Sequence, residues 1–478
     1  MLSLASFLAF YLAWNLGAND VANSMGTSVG SKAVTMRQAL MIAGVLEFAG
    51  AVLFGQDVSA TLATKLINPA LFAPMPETLV VGMVAVLLAC GVWLNIATSR
   101  GLPVSSSHAV VGAIAGFACV AISPQAVDWR SLGIISLSWV VTPIVSGAIA
   151  ALFYSQIKRW ILDQPDAIAP LNEWIPWLSV ALLSAFGILV LPTVVEKFFV
   201  ESLPLPSHTV SLIIGAIAVV GLTGFGWRHL EEAGGNGQRS AVSGQRSAVS
   251  SQQSAVSGQQ SAVSGQQSAV SGQRSAVSSQ NQFSTPPLPS SASPHPPNSS
   301  PLTPHTSPIE SLMARFQLFS ACFVAFAHGS NDVGNAVAPL AAIAYIHRTG
   351  SVPLEGFQVP LWILVLGGAG IVVGLAVWGK KVIATIGEGI IPLQPSGGFC
   401  AELATATTVL LASRLGLPVS TSHALVGGVV GIGLVQSMQA LRLQTLGAIG
   451  LAWVVTVPLA AVLGATIFSL GRWLLPFL

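Results

Sequence analysis

The sequence predicts an all-α integral membrane protein of about twelve transmembrane helices, in two inverted repeats with broken helices and helical hairpins. Three observations predict it: charge is scarce, apolar blocks reach membrane-spanning length, and a set of polar motifs occurs twice. Charged residues make up 8% of the chain and hydrophobic residues 53%. A soluble domain carries roughly 25% charge to cover its surface. The net charge of +2 is too small to suggest a nucleic-acid partner.

The apolar blocks approach the ~20 residues that cross ~30 Å of hydrocarbon. They run over 39–54, 79–97, 132–153, 178–195 and 210–227, then over 316–327, 361–378, 403–412, 419–435 and 445–470. The stretch 2–16 is apolar too. It lacks a basic leader and runs straight into a polar motif, so it reads as mature structure. Cys90, Cys119, Cys322 and Cys400 stand singly in apolar surroundings and read as small buried hydrophobes.

Duplication is read from three ordered matches about 310 residues apart. Residues 17–23 read G-A-N-D-V-A-N and 329–335 read G-S-N-D-V-G-N. Residues 101–112 read G-L-P-V-S-S-S-H-A-V-V-G and 416–427 read G-L-P-V-S-T-S-H-A-L-V-G. The run W-V-V-T recurs at Trp139 and Trp453, with Pro143 and Pro458 close behind. The expected organisation is a first transmembrane repeat (1–154), two connecting helices (155–232), a low-complexity linker (233–310) and a second repeat (311–478). The linker holds six heptads of the type G-Q-R-S-A-V-S. Ala and Val are adjacent in them, so no coiled-coil seam forms, and the segment reads as a disordered tether. Seven crossings before the second repeat would insert it upside down relative to the first. Lys and Arg are richer on one side of a twelve-span arrangement, which puts the linker in the cytoplasm and both termini outside. A plasma (inner) membrane location is expected.

Charge within a span is costly and points to function. Asp20 and Asp332 occupy equivalent places in the two repeats, each in a Gly/Asn-rich stretch where a helix is expected to unwind. Freed carbonyls, the two carboxylates and the amide oxygens of Asn19, Asn23, Asn331 and Asn335 would form an oxygen cage suited to Na+. The alternative is that these residues cap half-helices. The second motif favours the opposite charge. Ser105, Ser106 and Ser107, like Ser420, Thr421 and Ser422, follow a proline at an expected helix start, where N–H groups, hydroxyls and the helix dipole favour an anion. Ordinary N-capping by serine is the competing explanation. His108 and His423 end these motifs and could donate to the anion, carry a proton or bond a neighbouring helix. Glu47 and Glu402 lie within apolar spans without charged twins, the equivalent positions in the other repeat being about Ile371 and Leu87, and either could bind a cation or take a proton. Thr405 to Thr408 could add hydroxyls nearby.

The doubled G-x-N-D-V-x-N and L-P-V-S-x-S-H closely resemble the inorganic phosphate transporter (PiT) family, over the whole chain outside the linker. The resemblance implies symport of inorganic phosphate with Na+ or H+, a homodimer, and a variable cytoplasmic loop between the halves. It implies cation sites at Asp20, Asn23, Asp332 and Asn335, phosphate sites at the Ser/Thr clusters, and importance for Glu47 and Glu402. One departure is Leu87, where some members carry a further glutamate. Sulfate is the alternative cargo, and an ion channel is a more distant one. No nucleophile–base–orienter set, metal cluster or Walker motif is present in the sequence, so neither an enzyme nor an ATP-driven pump is expected, and no cofactor beyond the coupling ion.

Overall fold

The computed structural model describes residues 1–100, 104–165, 167–199, 206–231, 308–354, 356–380, 383, 391, 393–438 and 441–474. Pro103 and the linker up to residue 307 lie outside the described residues. One compact unit gathers Met1–Gly226 with Ile309–Leu478 and contains everything discussed below; the second, Trp227–Pro308, is described only at its two ends.

The first repeat supplies α1 (Leu2–Gly30), α2 (Met36–Phe54), α3 (Gln56–Thr64), α4 (Pro76–Ser99), α5 (Ser106–Ala121) and α6 (Trp129–Ile157). Then come α7 (Ile168–Leu189), α8 (Leu191–Phe199) and α9 (Ser207–Glu231). The second repeat supplies α10 (Pro308–Thr349), α11 (Leu361–Gly374), α12 (Pro395–Arg414), α13 (Thr421–Gln436) and α14 (Leu443–Leu474). Among the described residues, β-structure is a single isolated bridge between Ile67 and Val127.

Local chemistry sets the helix starts. Thr35 opens α2 with a capping box: its hydroxyl accepts from the Gln38 amide at 3.4 Å, and its own amide donates to Gln38 Oε1 at 3.0 Å. Asp128 opens α6 by accepting from the amides of Arg130 and Ser131, each at 3.0 Å.

Eight of the described helices are long and apolar enough to cross a membrane. Their outer faces carry large apolar side chains such as Leu137, Ile144, Leu212, Val220, Leu451 and Val454. The interior holds Asp20, Asp332, Glu47, Glu402 and five asparagines, Asn15, Asn19, Asn23, Asn331 and Asn335. An apolar outer face around buried charged and amide groups suits lipid as the solvent. The chain is an all-α integral membrane protein.

The two repeats pack in a crosswise, two-fold manner. A Cβ on Gly17 of α1 would overlap the Ile371 carbonyl of α11, and one on Gly329 of α10 would overlap the Glu47 carbonyl of α2. Farther along, Gly116 of α5 meets the Ala461 carbonyl of α14, while Gly431 of α13 meets the Gly147 carbonyl of α6. Each repeat therefore completes the other, through glycines that let helix backbones touch.

One expectation is corrected. Both G-x-N-D-V-x-N segments lie inside continuous helices, α1 of 29 residues and α10 of 42 residues. The glycines read as breakers are spent on close helix approach, and Asn23 Nδ2 reaches Asp20 Oδ1 one turn away at 3.1 Å without disturbing the backbone. No backbone carbonyls are released there. The breaks fall instead between α4 and α5 and between α12 and α13. Helices α5 and α13 have 16 residues each, about 24 Å at 1.5 Å per residue, and are too short to span the hydrocarbon alone.

Candidate functional site

The middle of α1 and of α10 is buried without interruption, from Asn15 to Ser28 and from Val324 to Ile343. These runs carry the predicted acids to a common point. Ligand atoms of Asp20, Asp332 and His328 all lie within 4.8 Å of one another. Asp20 and Asp332 are each 2% exposed.

Around the acids the second repeat is tied more heavily than the first. His328 Nε2 lies 2.8 Å from Asp332 Oδ2 and its Nδ1 lies 3.2 Å from Glu47 Oε1, so one imidazole stands between two carboxylates. Ser24 donates to the same Glu47 oxygen at 2.8 Å. The position equivalent to His328 in the first repeat is Leu16, and Asp20 has no such neighbour on its own helix. Asn19 donates to Thr98 at 2.8 Å, and its twin Asn331 donates to Ser413 at 3.0 Å and to the Leu417 carbonyl at 3.1 Å. These two amides pin each signature helix to the hairpin that carries a hydroxyl cluster.

The hydroxyl clusters sit at the starts of α5 and α13. Ser105 and Ser420 are their N-caps, accepting from the amides of His108 and His423 at 3.3 Å, so for these two residues the capping explanation holds. The residue after Ser420 reaches an acid. Thr421 donates to Asp332 Oδ2 at 3.1 Å. Asn335 crosses between repeats, donating to Ser106 at 3.3 Å and Ser107 at 3.1 Å. Ser107 donates to the Val419 carbonyl at 2.8 Å, and Ser420 and Ser422 share a hydrogen bond of 2.9 Å. All six predicted hydroxyls are buried.

Five buried oxygens here have no hydrogen-bond partner among the described residues: Asp20 Oδ2, Asp332 Oδ1, Glu47 Oε2, Asn331 Oδ1 and Asn335 Oδ1. Carboxylate and amide oxygens only accept, and burying them unpaired costs ~1–3 kcal/mol each or more. A set of orphaned hard-oxygen acceptors fits an alkali cation.

Glu402 stands apart from this centre. Its Oε1 accepts from Thr27 and Ser28 at 2.6 Å and from Gln317 at 3.0 Å, and its Oε2 accepts from Ser320 at 2.8 Å. It knots α12 to α1 and α10. The nearby threonines expected to add hydroxyls do not: Thr405 and Thr408 bond the Ala401 and Ala404 carbonyls of their own helix at 2.7 and 2.8 Å. His108 and His423 bond a neighbouring helix, through the carbonyls of Trp453 at 3.2 Å and Trp139 at 3.1 Å.

Several partners escape a reading by motif. His328 directly precedes the second G-x-N-D-V-x-N and lacks a counterpart at Leu16, a difference that alignment of the two repeats exposes. Thr98 and Ser413 are themselves a matched pair three residues before each G-L-P-V-S. Thr27, Ser28, Gln317 and Ser320 carry no sequence signal beyond polarity.

Buried acids, orphaned oxygens and hydroxyl-tipped short helices at the heart of a lipid-facing bundle define a membrane transport protein rather than an enzyme. Comparison with known proteins agrees. A family model described as the phosphate transporter family matches residues 16–464. A Haemophilus influenzae protein described provisionally as a phosphate permease is 36% identical over 448 residues, covering 92% of this chain and 90% of the relative. A Chlamydia trachomatis protein with the same description is 36% identical over 441 residues, covering 92% and 91%. A solved structure described as "The sodium-dependent phosphate transporter" superposes with a TM-score of 0.76 at 30% identity, over 100% of this chain and 99% of that one. The chain belongs to the phosphate transporter family.

Proposed function

We propose that this protein is a secondary symporter of inorganic phosphate driven by Na+. The observation that carries the proposal is the shared junction of acids and hydroxyls. Asp20 and Asp332 meet within 4.8 Å, and a hydroxyl of the second cluster, Thr421, is hydrogen-bonded to one of them.

Electrostatics makes the cation a condition for the anion. Two like charges ~5 Å apart repel by about 3 kcal/mol at an effective dielectric near 20, so bare carboxylates oppose a phosphate held at the neighbouring helix starts. Cations on Asp20 and Asp332, with Asn23 and Asn335 as further oxygen ligands, remove that opposition. They also compete for Asp332 Oδ2, releasing the Thr421 hydroxyl to donate to a phosphate oxygen. Ser106 and Ser422 supply further donors, and the starts of α5 and α13 add the positive end of each helix dipole. Affinity for one ligand then depends on the other, as coupled transport requires.

Sodium is chosen over protons for the coupling ion because the orphaned groups are hard oxygens and because the superposed structure is described as sodium-dependent. A homodimer in the plasma membrane with the linker on the cytoplasmic side completes the proposal. In proteoliposomes, an inward Na+ gradient should drive saturable uptake of labelled phosphate, and a pH gradient alone should not. Excess sulfate should leave uptake within about twofold. Uptake indifferent to Na+, or abolished by sulfate, would reject this assignment.

A further inference from the structure

The start of α13 is held by the first repeat at three points, and Trp139 of α6 supplies two of them. Its indole Nε1 donates to the Pro418 carbonyl at 2.9 Å. Its own main-chain carbonyl receives His423 Nδ1 at 3.1 Å. That carbonyl is free for a plain reason: its helical partner four residues on would be the amide of Pro143, and proline has none. A carbonyl only accepts, so Nδ1 of His423 carries the proton. The third point is the Ser107 hydroxyl on the Val419 carbonyl at 2.8 Å. Pro418 and Val419 immediately precede the Ser420–Ser422 cluster, so all three bonds fix where those hydroxyls stand.

The opposite clamp shares the histidine bond alone: Trp453 Nε1 has no partner among the described residues, and Pro458 lies five residues on rather than four. His108 Nδ1 bonds the Trp453 carbonyl at 3.2 Å. Each histidine also lies against the tryptophan of its own repeat, His108 on Trp139 at 3.9 Å and His423 on Trp453 at 3.6 Å between ring centroids. The two imidazoles meet edge to face at 4.6 Å. Behind this group, Gly427 packs on the Pro143 carbonyl and Gly112 on the Val457 carbonyl, leaving little room for either short helix to slide. The four rings link the segments that carry the two hydroxyl clusters.

We propose that Trp139 with His423, and Trp453 with His108, are positioning residues that set the gap between the two hydroxyl clusters and thereby which tetrahedral oxyanion fits. The proposal rests on the reading of Ser106, Thr421 and Ser422 as the oxyanion's donors. It assigns no contact with the anion to any of the four rings.

The test is phosphate uptake kinetics in proteoliposomes under an inward Na+ gradient, with sulfate as competitor, for Trp139→Phe, His423→Phe and His423→Asn. Trp139→Phe keeps a ring and deletes one N–H. His423→Asn keeps an N–H donor close to the position of Nδ1. Loss of one hydrogen bond at about 0.5–1.5 kcal/mol translates to roughly a two- to twelvefold change. We expect Trp139→Phe and His423→Phe to raise KM for phosphate about three- to tenfold, with kcat within about twofold and stronger inhibition by sulfate. His423→Asn should recover most of the KM. Unchanged KM and sulfate inhibition in Trp139→Phe and His423→Phe, or a fall in kcat alone, would overturn the clamp and leave a merely structural contact. Saturable uptake by the parent chain tests the functional reading separately: its failure rejects the symporter, whereas parent uptake with unmoved variants rejects only the clamp.

Discussion

Asp20→Asn is expected to abolish Na+-driven phosphate uptake while leaving the fold intact. The substitution keeps the shape of the side chain and the Asn23 contact, but removes the charge from a carboxylate that is 2% exposed and whose Oδ2 is unpartnered. A loss of more than about 100-fold in initial rate, equivalent to ~2.7 kcal/mol, is expected. Asp332→Asn should do the same to transport and also lower thermal stability. Its Oδ2 is the contact of both His328 and Thr421, and breaking a buried pair costs ~3–5 kcal/mol. The difference between the two variants is diagnostic, because the pseudo-symmetric positions have unequal surroundings. Rates are read in proteoliposomes and stability from the melting of detergent-purified protein. Near-normal uptake in both variants would remove the two aspartates from the mechanism.

Glu402→Leu is expected to destabilise the bundle as a whole. Four donors from α1 and α10 converge on this carboxylate, and each buried donor left unsatisfied costs ~1–3 kcal/mol. A total above about 4 kcal/mol places the change among the most severe single substitutions. Glu402→Gln retains one acceptor oxygen, and the hydroxyls of Thr27, Ser28 and Ser320 can turn to accept from its amide, so it should lose far less. Melting temperatures of the two variants, with uptake at a temperature where both are folded, separate the knot from transport itself. Equal stability of Glu402→Leu and the parent would show that these hydrogen bonds contribute nothing net.

Duplication made the centre legible. Asp20 and Asp332, or Ser106 and Thr421, are unremarkable singly; their recurrence at matched positions pointed to one joint site, and the structure brings them together. The backbone at the aspartates was misread for a physical reason. Glycine beside asparagine signals a break in water, yet between packed membrane helices Gly17 and Gly329 serve close approach, and the helices continue through them. Thr405 and Thr408 show a second limit. Their hydroxyls face their own carbonyls, and side-chain rotation is set by neighbours that local sequence does not identify. His328 became visible only where the repeats differ. Trp139 stood out as a marker of the duplication, but its action through an indole N–H and a carbonyl freed by Pro143 depends on helices far apart in sequence.

Titration of the detergent-purified protein with phosphate, once in Na+ and once in an equal concentration of choline, measures the coupling between cation and anion without any need for turnover. Phosphate should bind at least about 100-fold more tightly in Na+, a coupling of ~2.7 kcal/mol, and Asp20→Asn should erase most of that difference. Equal affinity in the two media would contradict a site in which the cation on the buried acids makes room for the anion.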